Sequence, residues 1–237
     1  MSIYPYFIVF ILGSSTASFL NVVAHDLPKK ANWTMRRSTC PHCHTKLHLS
    51  QLIPVFSYLH QKGHCHSCHA VISPLYLLTE LTGGVLFSLP LLLPNQVTLH
   101  QLVHTWIFFS LLITITLTDI YHGLIPNKIL VTFGLLLFTI QPNILSAMIG
   151  FSLFFISACL GKWLFKKATL GGGDIKCYFV IGLAIELRIL LLSIIVSCLL
   201  ALLYIFFISK DRHAAVRFAP FISLGVIIVI ILSTILP

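Results

Sequence analysis

Long apolar segments alternate with shorter polar ones along most of the chain. A membrane-spanning helix needs about 20 predominantly apolar residues, and the hydrophobic pattern offers eight candidates. Their approximate limits are 3–24, 73–93, 102–119, 125–140, 143–161, 174–187, 189–208 and 218–236. The fourth and sixth are short for a span. The pattern therefore predicts an all-α polytopic membrane protein with about eight transmembrane helices, with six or seven as the alternatives.

Residues 25–72 interrupt this pattern with a long polar region. It contains four of the seven cysteines and most of the histidines. Residues 1–24 lack a basic segment ahead of their apolar run, which is long enough to span a bilayer. We therefore interpret them as a first transmembrane helix and not as a signal peptide. The predicted organisation is this helix over 1–24, a small insertion over 25–72 and a membrane domain over 73–237.

Composition and charge sharpen this interpretation. The chain is 57% hydrophobic and 9% charged, with a mean hydropathy of +0.98, whereas soluble domains carry about 25% charged residues. The net charge of +9 could indicate a nucleic-acid partner. With eight spans, however, every Lys and Arg except Arg188 falls on one side of the membrane. The positive-inside rule assigns that side to the cytoplasm. The net positive charge is therefore explained by the orientation of the chain in the membrane, and we expect no nucleic-acid partner.

Four cysteines of the insertion form two C-x2-C pairs, Cys40 with Cys43 and Cys65 with Cys68. Zn²⁺ favours four tetrahedral thiolates, and two intervening residues let one turn present both sulfurs. In the reducing cytosol such pairs indicate metal more often than disulfides. The spacing predicts a structural, closed zinc site, and two redox-active or merely adjacent pairs are the alternative. Neighbouring histidines could substitute as ligands, namely His42, His44, His66 and His69.

Two of the six acidic residues lie at the ends of apolar runs. Asp119 ends the run at 107–119, and Asp174 precedes the run at 175–185. Acidic residues at membrane depth mark functional sites by default, and the predicted topology places both carboxylates at the cytoplasmic ends of their helices. Two adjacent carboxylates share one proton and can hydrolyse a peptide bond by acid–base catalysis. The alternative is two separate acids that cap helices or pair with Lys128 or Lys176.

Three glycines, Gly171, Gly172 and Gly173, come directly before Asp174. Glycine permits positive φ and close backbone approach, so we expect these residues to let a substrate strand lie beside Asp174. A flexible hinge is the alternative interpretation. The stretch is not a phosphate-binding loop, since the GxxxxGK[ST] pattern is absent.

Several motifs taken together resemble the type IV prepilin leader peptidases of bacteria, most closely the competence-type members of Gram-positive species. The motifs are ASFLNVVAHDLP at 17–28, the cysteine-containing stretch at 38–80, TDIYHGLIPNKI at 118–129 and GGGDIK at 171–176. The resemblance implies an intramembrane aspartic endopeptidase of the GxGD type, with Asp119 and Asp174 as catalytic residues. Lys176 and the three glycines then form the active-site loop, and the four cysteines hold zinc.

The resemblance also implies substrates, a second cofactor and a location. The substrates are prepilins and pseudopilins of pilus, competence or secretion systems, whose short basic leaders lie in the cytoplasm. Many members also methylate the new N-terminus with S-adenosylmethionine. The implied location is the bacterial cytoplasmic membrane, in the lipid bilayer, with the active site facing the cytoplasm. Departures from the family pattern at Asp26, Asn127 and 75–77 spare the aspartates, and methylation stays open because no cofactor fingerprint is present.

Two further interpretations compete with this one. A membrane metal transporter or sensor would use the same acids and cysteines as ligands. A methyltransferase without peptidase activity would tolerate replacement of either aspartate. Neighbouring pilin or metal-efflux genes would separate the first of these from a leader peptidase, and aspartate variants would separate the second.

Overall fold

The computed structural model describes residues 4–28, 38–40, 42–92, 97–166, 171–207 and 216–235. The described residues form nine α-helices and one 3-10 turn, Leu49–Leu52. The helices are α1 Tyr4–Asp26, α2 Phe56–His60, α3 Pro74–Leu92, α4 Leu99–His122, α5 Asn127–Ile140, α6 Ile144–Phe165, α7 Gly172–Ala184, α8 Leu187–Phe207 and α9 Ala219–Ile235. Part of the basic charge counted above lies outside the described residues, at Lys29, Lys30, Arg36, Arg37, Lys167, Lys210 and Arg212.

Each of the eight predicted apolar segments contains a helix, so the all-α membrane fold is confirmed. Within the described ranges, five helices are long and apolar enough to cross a membrane, namely α1, α3, α4, α6 and α8. The shorter apolar helices are α5 and α9, and α7 has 13 residues. The prediction that the fourth and sixth segments are short is therefore confirmed by α5 and α7.

The chain forms two compact units, Met1–Thr114 and Ile115–Pro237. In the first unit, α1 and α3 meet along small residues. A Cβ added to Gly13 would lie 2.5 Å from the carbonyl oxygen of Gly83, so only glycine allows the helices this approach. Close contact through small residues is typical of helix pairs in membranes. The buried Asn21 side chain also donates to Thr79 Oγ1 across this interface, at 3.2 Å.

The polar insertion of the first unit is tied to α3 through Glu80. The Glu80 side chain is buried, and its Oε2 accepts the backbone N–H of Val55 at 2.7 Å. Val55 has a φ of 66°, which is unusual for a β-branched residue. The hydroxyl of Tyr58 donates to the carbonyl of Ile72 at 3.3 Å. These bonds fix the segment that separates the two cysteine pairs.

In the second unit, α7 packs tightly against α6. A Cβ on Gly182 would lie 2.6 Å from Cα of Ala147, and the Asn143 N–H donates to the carbonyl of Leu183 at 2.9 Å. The buried ring of Tyr178 stacks on Phe154 with a centroid separation of 3.9 Å. This packing fixes the body of α7, whose first turn contains Asp174.

Candidate functional site

Asp119 lies in the last turn of α4, and its side chain is 7% exposed. Its Oδ2 accepts the backbone N–H of Ala219, the first residue of α9, at 3.0 Å. The guanidinium of Arg217 donates to the carbonyl of Ile120 and acts electrostatically on the Asp119 carboxylate. Asp119 is therefore held by groups that follow it by about a hundred residues in the sequence.

Asp174 lies in the first turn of α7 and is half-buried. Its own N–H donates to the carbonyl of Gly171 at 3.1 Å, and its carboxylate accepts a backbone hydrogen bond from Gly171. The positive end of the helix dipole also lies at this turn. The hydrogen bond from Gly171 and the helix dipole thus both favour a carboxylate at the start of α7.

The two carboxylates belong to the same unit, Ile115–Pro237. Asp119 acts electrostatically on Asp174, and both act on the fully buried Cys177 one turn further along α7. One acid comes from the end of α4 and the other from the start of α7. The sequence places these acids at equivalent helix ends, and in the structure the charge of Asp119 acts on Asp174.

The glycines before Asp174 use only one of the two properties named for them. None of them has positive φ, and Gly171 has φ −70° and ψ 135°, so close backbone approach is the property that applies here. The physical requirement is space. A Cβ on Gly171 would lie 3.1 Å from Asp174 Oδ2, whereas one on Gly172 would meet no atom within 4 Å. Gly173 lies against Ile125, at 3.4 Å between the added Cβ and the Ile125 Cβ.

Lys176 links the two motifs that contain these acids. Its Nζ donates to Asn127 Oδ1 at 3.0 Å, which joins the first turn of α7 to the first residue of α5. This contact joins a charged residue to a neutral one.

The four cysteines of the insertion converge on one point in the first unit. Their Sγ atoms all lie within 4.8 Å of one another. Cys40 Sγ is 3.9 Å from Cys68 Sγ, and Cys43 Sγ is 3.9 Å from Cys65 Sγ. Four thiolates at this spacing suit a tetrahedral Zn²⁺ and leave no open coordination position. The cluster could therefore bind a metal such as zinc, and it contains no histidine.

Each cysteine pair sits in the same kind of turn. In both turns the first cysteine accepts a hydrogen bond from the histidine that follows the second one, at 3.0 Å for His44 and 2.9 Å for His69. Both histidines have left-handed backbone conformations, with φ of 55° and 56°. An isolated β-bridge closes each turn. The repeated C-x-x-C-H pattern was the available signal for this repeat, which the sequence analysis did not identify.

Local hydrogen bonds favour the thiolate at two of these cysteines. The Thr45 hydroxyl, 2.9 Å from Cys43 Sγ, and the Thr45 backbone lower the pKa of Cys43 to about 6. Backbone hydrogen bonds from Cys68 and Ser67 lower the pKa of Cys65. Because the thiolate is the metal-binding form, the turns prepare these sulfurs for a cation.

A cavity of about 440 Å³ lies beside the cysteine turns in the first unit. Asp26, Glu80, Tyr58 and Tyr76 contribute to its wall, and no Lys or Arg occurs among the described residues that line it. His25 Nδ1 lies 2.7 Å from Asp26 Oδ1. The cavity is within the usual size range of small-molecule sites, roughly 300–1,000 Å³, and it offers carboxylates in a chain that is otherwise strongly basic.

Comparison with known proteins supplies the family. Residues 11–93 match the model of the bacterial peptidase A24 N-terminal domain, and residues 106–206 match that of the type IV leader peptidase family. A prepilin leader peptidase/N-methyltransferase of Bacillus subtilis (strain 168) is 32% identical over 232 residues, which cover 93% of this chain and 92% of the relative. The chain belongs to the type IV leader peptidase family. This leader peptidase is thus a multi-pass protein of a bacterial family of membrane peptidases.

Other relatives of this leader peptidase carry the same name. The one from Dichelobacter nodosus is 32% identical over 218 residues, covering 86% of this chain and 74% of the relative. The one from Neisseria gonorrhoeae is 29% identical over 242 residues, covering 86% and 83%. No solved structure matches the chain. The family resemblance drawn from the motifs is confirmed, and it favours a peptidase over a transporter or sensor.

Sequence reasoning missed two residues of the leader peptidase that contact the site. Arg217 and Ala219 lie beyond the matched range 106–206 and belong to no motif quoted above. The only feature of the sequence that points to this segment is Arg217 shortly before Pro220, at the start of the last apolar run. This feature predicts the start of a helix and no contact with Asp119. A hydrogen bond from a backbone N–H to a distant carboxylate cannot be recognised from the types of the residues involved.

Proposed function

We propose that this chain removes the leader from type IV prepilins and pseudopilins, with Asp119 and Asp174 as its catalytic acids. The observation that carries the proposal is the electrostatic action of Asp119, at the end of α4, on Asp174, at the start of α7. The names of the curated relatives supply the substrate class. Asp119 is buried, which favours reaction chemistry over a solvated surface charge.

The pair can hydrolyse an amide without a covalent intermediate. One carboxylate takes a proton from water, and the water oxygen attacks the scissile carbonyl carbon. The protonated partner gives its proton to the leaving nitrogen as the C–N bond breaks. The products are the leader's carboxylic acid, which ionises in water, and a pilin with a free N-terminal amine, and the two acids still hold one shared proton, which has moved from one carboxylate to the other.

We assign Gly171, Gly172, Gly173 and Lys176 to the substrate-facing edge of this site. Gly171 leaves room for the Asp174 carboxylate, and the position of Gly172 is open. An extended peptide needs such an edge to bring its scissile bond within reach of both acids. The Lys176 contact with Asn127 holds the edge against α5.

The proposed location is the bacterial cytoplasmic membrane, with the active site facing the cytoplasm. The charge distribution supports this orientation, because every Lys and Arg except Arg188 falls on the same predicted side. Prepilin leaders are short, basic and cytoplasmic, so their cleavage requires acids at that boundary. The bilayer and the prepilin are the proposed partners, and we propose no nucleic-acid partner.

We propose that the cysteine cluster holds a structural Zn²⁺ within an insertion at 25–72. That insertion would separate a first span at 1–24 from a membrane peptidase domain at 73–237. The closed set of four sulfurs supports a structural ion and no metal chemistry. Cys40, Cys43, Cys65 and Cys68 would hold the ion, and the two matching turns would fold around it.

We also propose that the chain methylates the new N-terminus with S-adenosylmethionine, as the relatives' names indicate for those proteins. The cavity beside the cysteine turns fits this cofactor in size and charge. Asp26 and Glu80 can face its positively charged groups, and Tyr58 and Tyr76 can pack on its flat base. The bound cofactor would supply the methyl group.

Mass spectrometry of a purified reaction tests both activities. The detergent-solubilised protein is incubated with a prepilin that carries its basic leader, with and without S-adenosylmethionine. We expect a product shortened by the leader in both samples and a further added methyl only when the cofactor is present. An uncut prepilin would overturn the peptidase proposal, and a cut but unmethylated product would overturn the methylation proposal alone.

Replacing Gly171 by Ala should lower the rate of cleavage by about 10-fold, because the new methyl crowds Asp174 Oδ2 at 3.1 Å and small misplacements of a reacting group are costly. Gly134→Ala in α5, away from the proposed site, is the matched control, since its methyl would make only ordinary contacts, no closer than 3.6 Å, with the Val180 side chain. Initial rates of leader removal measure both variants. Equal rates in the two variants would show that space beside Asp174 is not what the glycine provides.

A further inference from the structure

Asp119 is held by the segment just before α9, which we call the pre-α9 segment (Arg217, Phe218 and Ala219). Ala219 is fully buried, and its N–H donates to Asp119 Oδ2 at 3.0 Å. As the first residue of a 17-residue helix, Ala219 has no partner for this N–H within its own helix. The carboxylate thus accepts a donor that the start of α9 leaves available.

Arg217 makes a second link to the same turn of α4. Its guanidinium donates to the carbonyl of Ile120, the residue after Asp119. This carbonyl belongs to the last four of α4, which lack a partner within that helix, while the Asp119 carbonyl accepts from Gly123 N–H at 2.9 Å. Arg217 therefore caps α4, and its positive charge acts on the Asp119 carboxylate.

From these contacts we infer that Arg217 and Ala219 are positioning residues of the peptidase site. The guanidinium of Arg217 and the backbone N–H of Ala219 fix the orientation of the Asp119 carboxylate. The inference rests on the proposed function, because it assumes that Asp119 takes part in the reaction. A backbone donor suits this task, since it cannot adopt another rotamer. Acid–base catalysis depends on such placement, and a misplacement of about 1 Å can cost roughly 100-fold in rate.

The N–H of Ala219 is tested by Ala219→Pro. Proline is tolerated at the first position of a helix, so α9 can still begin there. The ring carbon replaces the hydrogen that faces Asp119 and forces the carboxylate to turn away. We expect kcat for cleavage of a purified prepilin to fall about 100-fold with little change in KM, because leader binding does not use this bond.

Ala219→Gly is the matched control for the proline variant. It keeps the N–H and removes only the methyl group, so its kcat should stay within about 3-fold of the original value. A general loss of packing would instead lower the activity of both variants. Substitution of Ala219 by lactic acid, which replaces the N–H with an ester oxygen and adds no bulk, gives the same test if the proline variant does not fold.

Arg217 is tested by a pair of variants that separate charge from hydrogen bonding. Arg217→Lys keeps the charge, whereas Arg217→Gln keeps a donor for the Ile120 carbonyl and loses the charge. We expect kcat to fall about 10-fold in the Gln variant and to recover largely in the Lys variant. Equal, nearly unchanged kcat in both variants would remove Arg217 from the inference.

The outcomes distinguish this inference from the proposed function. If Asp119→Asn cleaves prepilin normally, the assignment of Asp119 fails and the inference fails with it. If Asp119→Asn is inactive but the proline and ester variants retain full kcat, only the positioning inference is overturned. A selective loss of kcat in those variants, with the Gly variant active, supports it.

Discussion

Asp119→Asn and Asp174→Asn should each abolish leader removal while leaving the protein folded and inserted in the membrane. Asn is nearly isosteric with Asp, and its side-chain oxygen can still accept the N–H of Ala219 or Gly171. What it loses is the ability to gain and release a proton. Acid–base groups contribute roughly 10²–10⁴-fold to rate, and removal of one member of a unit that acts together costs on the order of 10⁴-fold or more, so we expect at least about a 1,000-fold loss in each single variant.

The double variant gives a sharper result than either single one. Two acids that share one proton act as a unit, and removal of one already disables the other. The Asp119→Asn/Asp174→Asn protein should therefore be no less active than the single variants, because the effects of such residues are strongly non-additive. Initial rates of prepilin cleavage, read by mass spectrometry, measure all three proteins.

Glu186→Gln is the control for these variants, since it also removes one negative charge but lies exposed at the opposite end of α7. It should cleave prepilin at the original rate. Full processing by Asp119→Asn or by Asp174→Asn would contradict the proposed mechanism. Inactivity of the Glu186 variant would show that the loss reflects charge or folding in general.

The positions of the two acids could be predicted because the membrane restricts where a carboxylate can lie. Asp119 and Asp174 stand at the limits of apolar runs, and charge counting assigns both limits to one side. Neither step needs a contact between distant residues. The same logic predicted the helices, since a lipid-exposed chain must satisfy its backbone hydrogen bonds within each segment.

The contacts around the acids could not be predicted in this way. The Ala219 N–H is a backbone group, present at almost every residue, and only the fold selects the one that faces Asp119. Glycine offers both positive φ and close backbone approach, and residue type alone could not tell which of the two applies; none of these glycines has positive φ, and Gly171 leaves space beside Asp174 Oδ2. Residue type indicates that a position is unusual, and the three-dimensional packing gives the physical reason for that residue.

The cysteine cluster could be predicted from the sequence in part. The spacing of Cys40, Cys43, Cys65 and Cys68 was sufficient to predict their convergence, because each C-x2-C pair needs only one local turn. The equivalence of the two turns was missed, although both have histidine after the second cysteine. In each turn that histidine has a left-handed backbone, a conformation that non-glycine residues adopt at a cost.

Replacing Cys40 by Ser should abolish stoichiometric zinc binding and unfold the insertion around the cluster. Cys40 and Cys65 are almost fully buried, yet few other described side chains of the insertion are, so this region has little apolar core of its own. Structural zinc contributes about 10–16 kcal/mol of apparent binding free energy in zinc-finger peptides. Loss of one thiolate therefore removes most of what holds these turns together.

Two measurements test the expected loss of zinc and the expected unfolding of the insertion. Elemental analysis of the purified protein should give one zinc per chain originally and almost none in Cys40→Ser. Limited proteolysis should then cut within 38–72, as it should after treatment of the original protein with a strong chelator. Cys159→Ser is the matched control, because Cys159 is an exposed cysteine in α6 outside the cluster, and it should keep both the zinc and the resistance to proteolysis.

A variant that lacks all four cluster cysteines decides whether the sulfurs are the ligands. If zinc stays stoichiometric in that protein, the metal is bound elsewhere and the assignment is refuted. If Cys40→Ser loses zinc but resists proteolysis as before, the ion is bound there but does not stabilise the insertion. Loss of both together is the result that a structural ion requires, because metal binding and folding of such turns are one equilibrium.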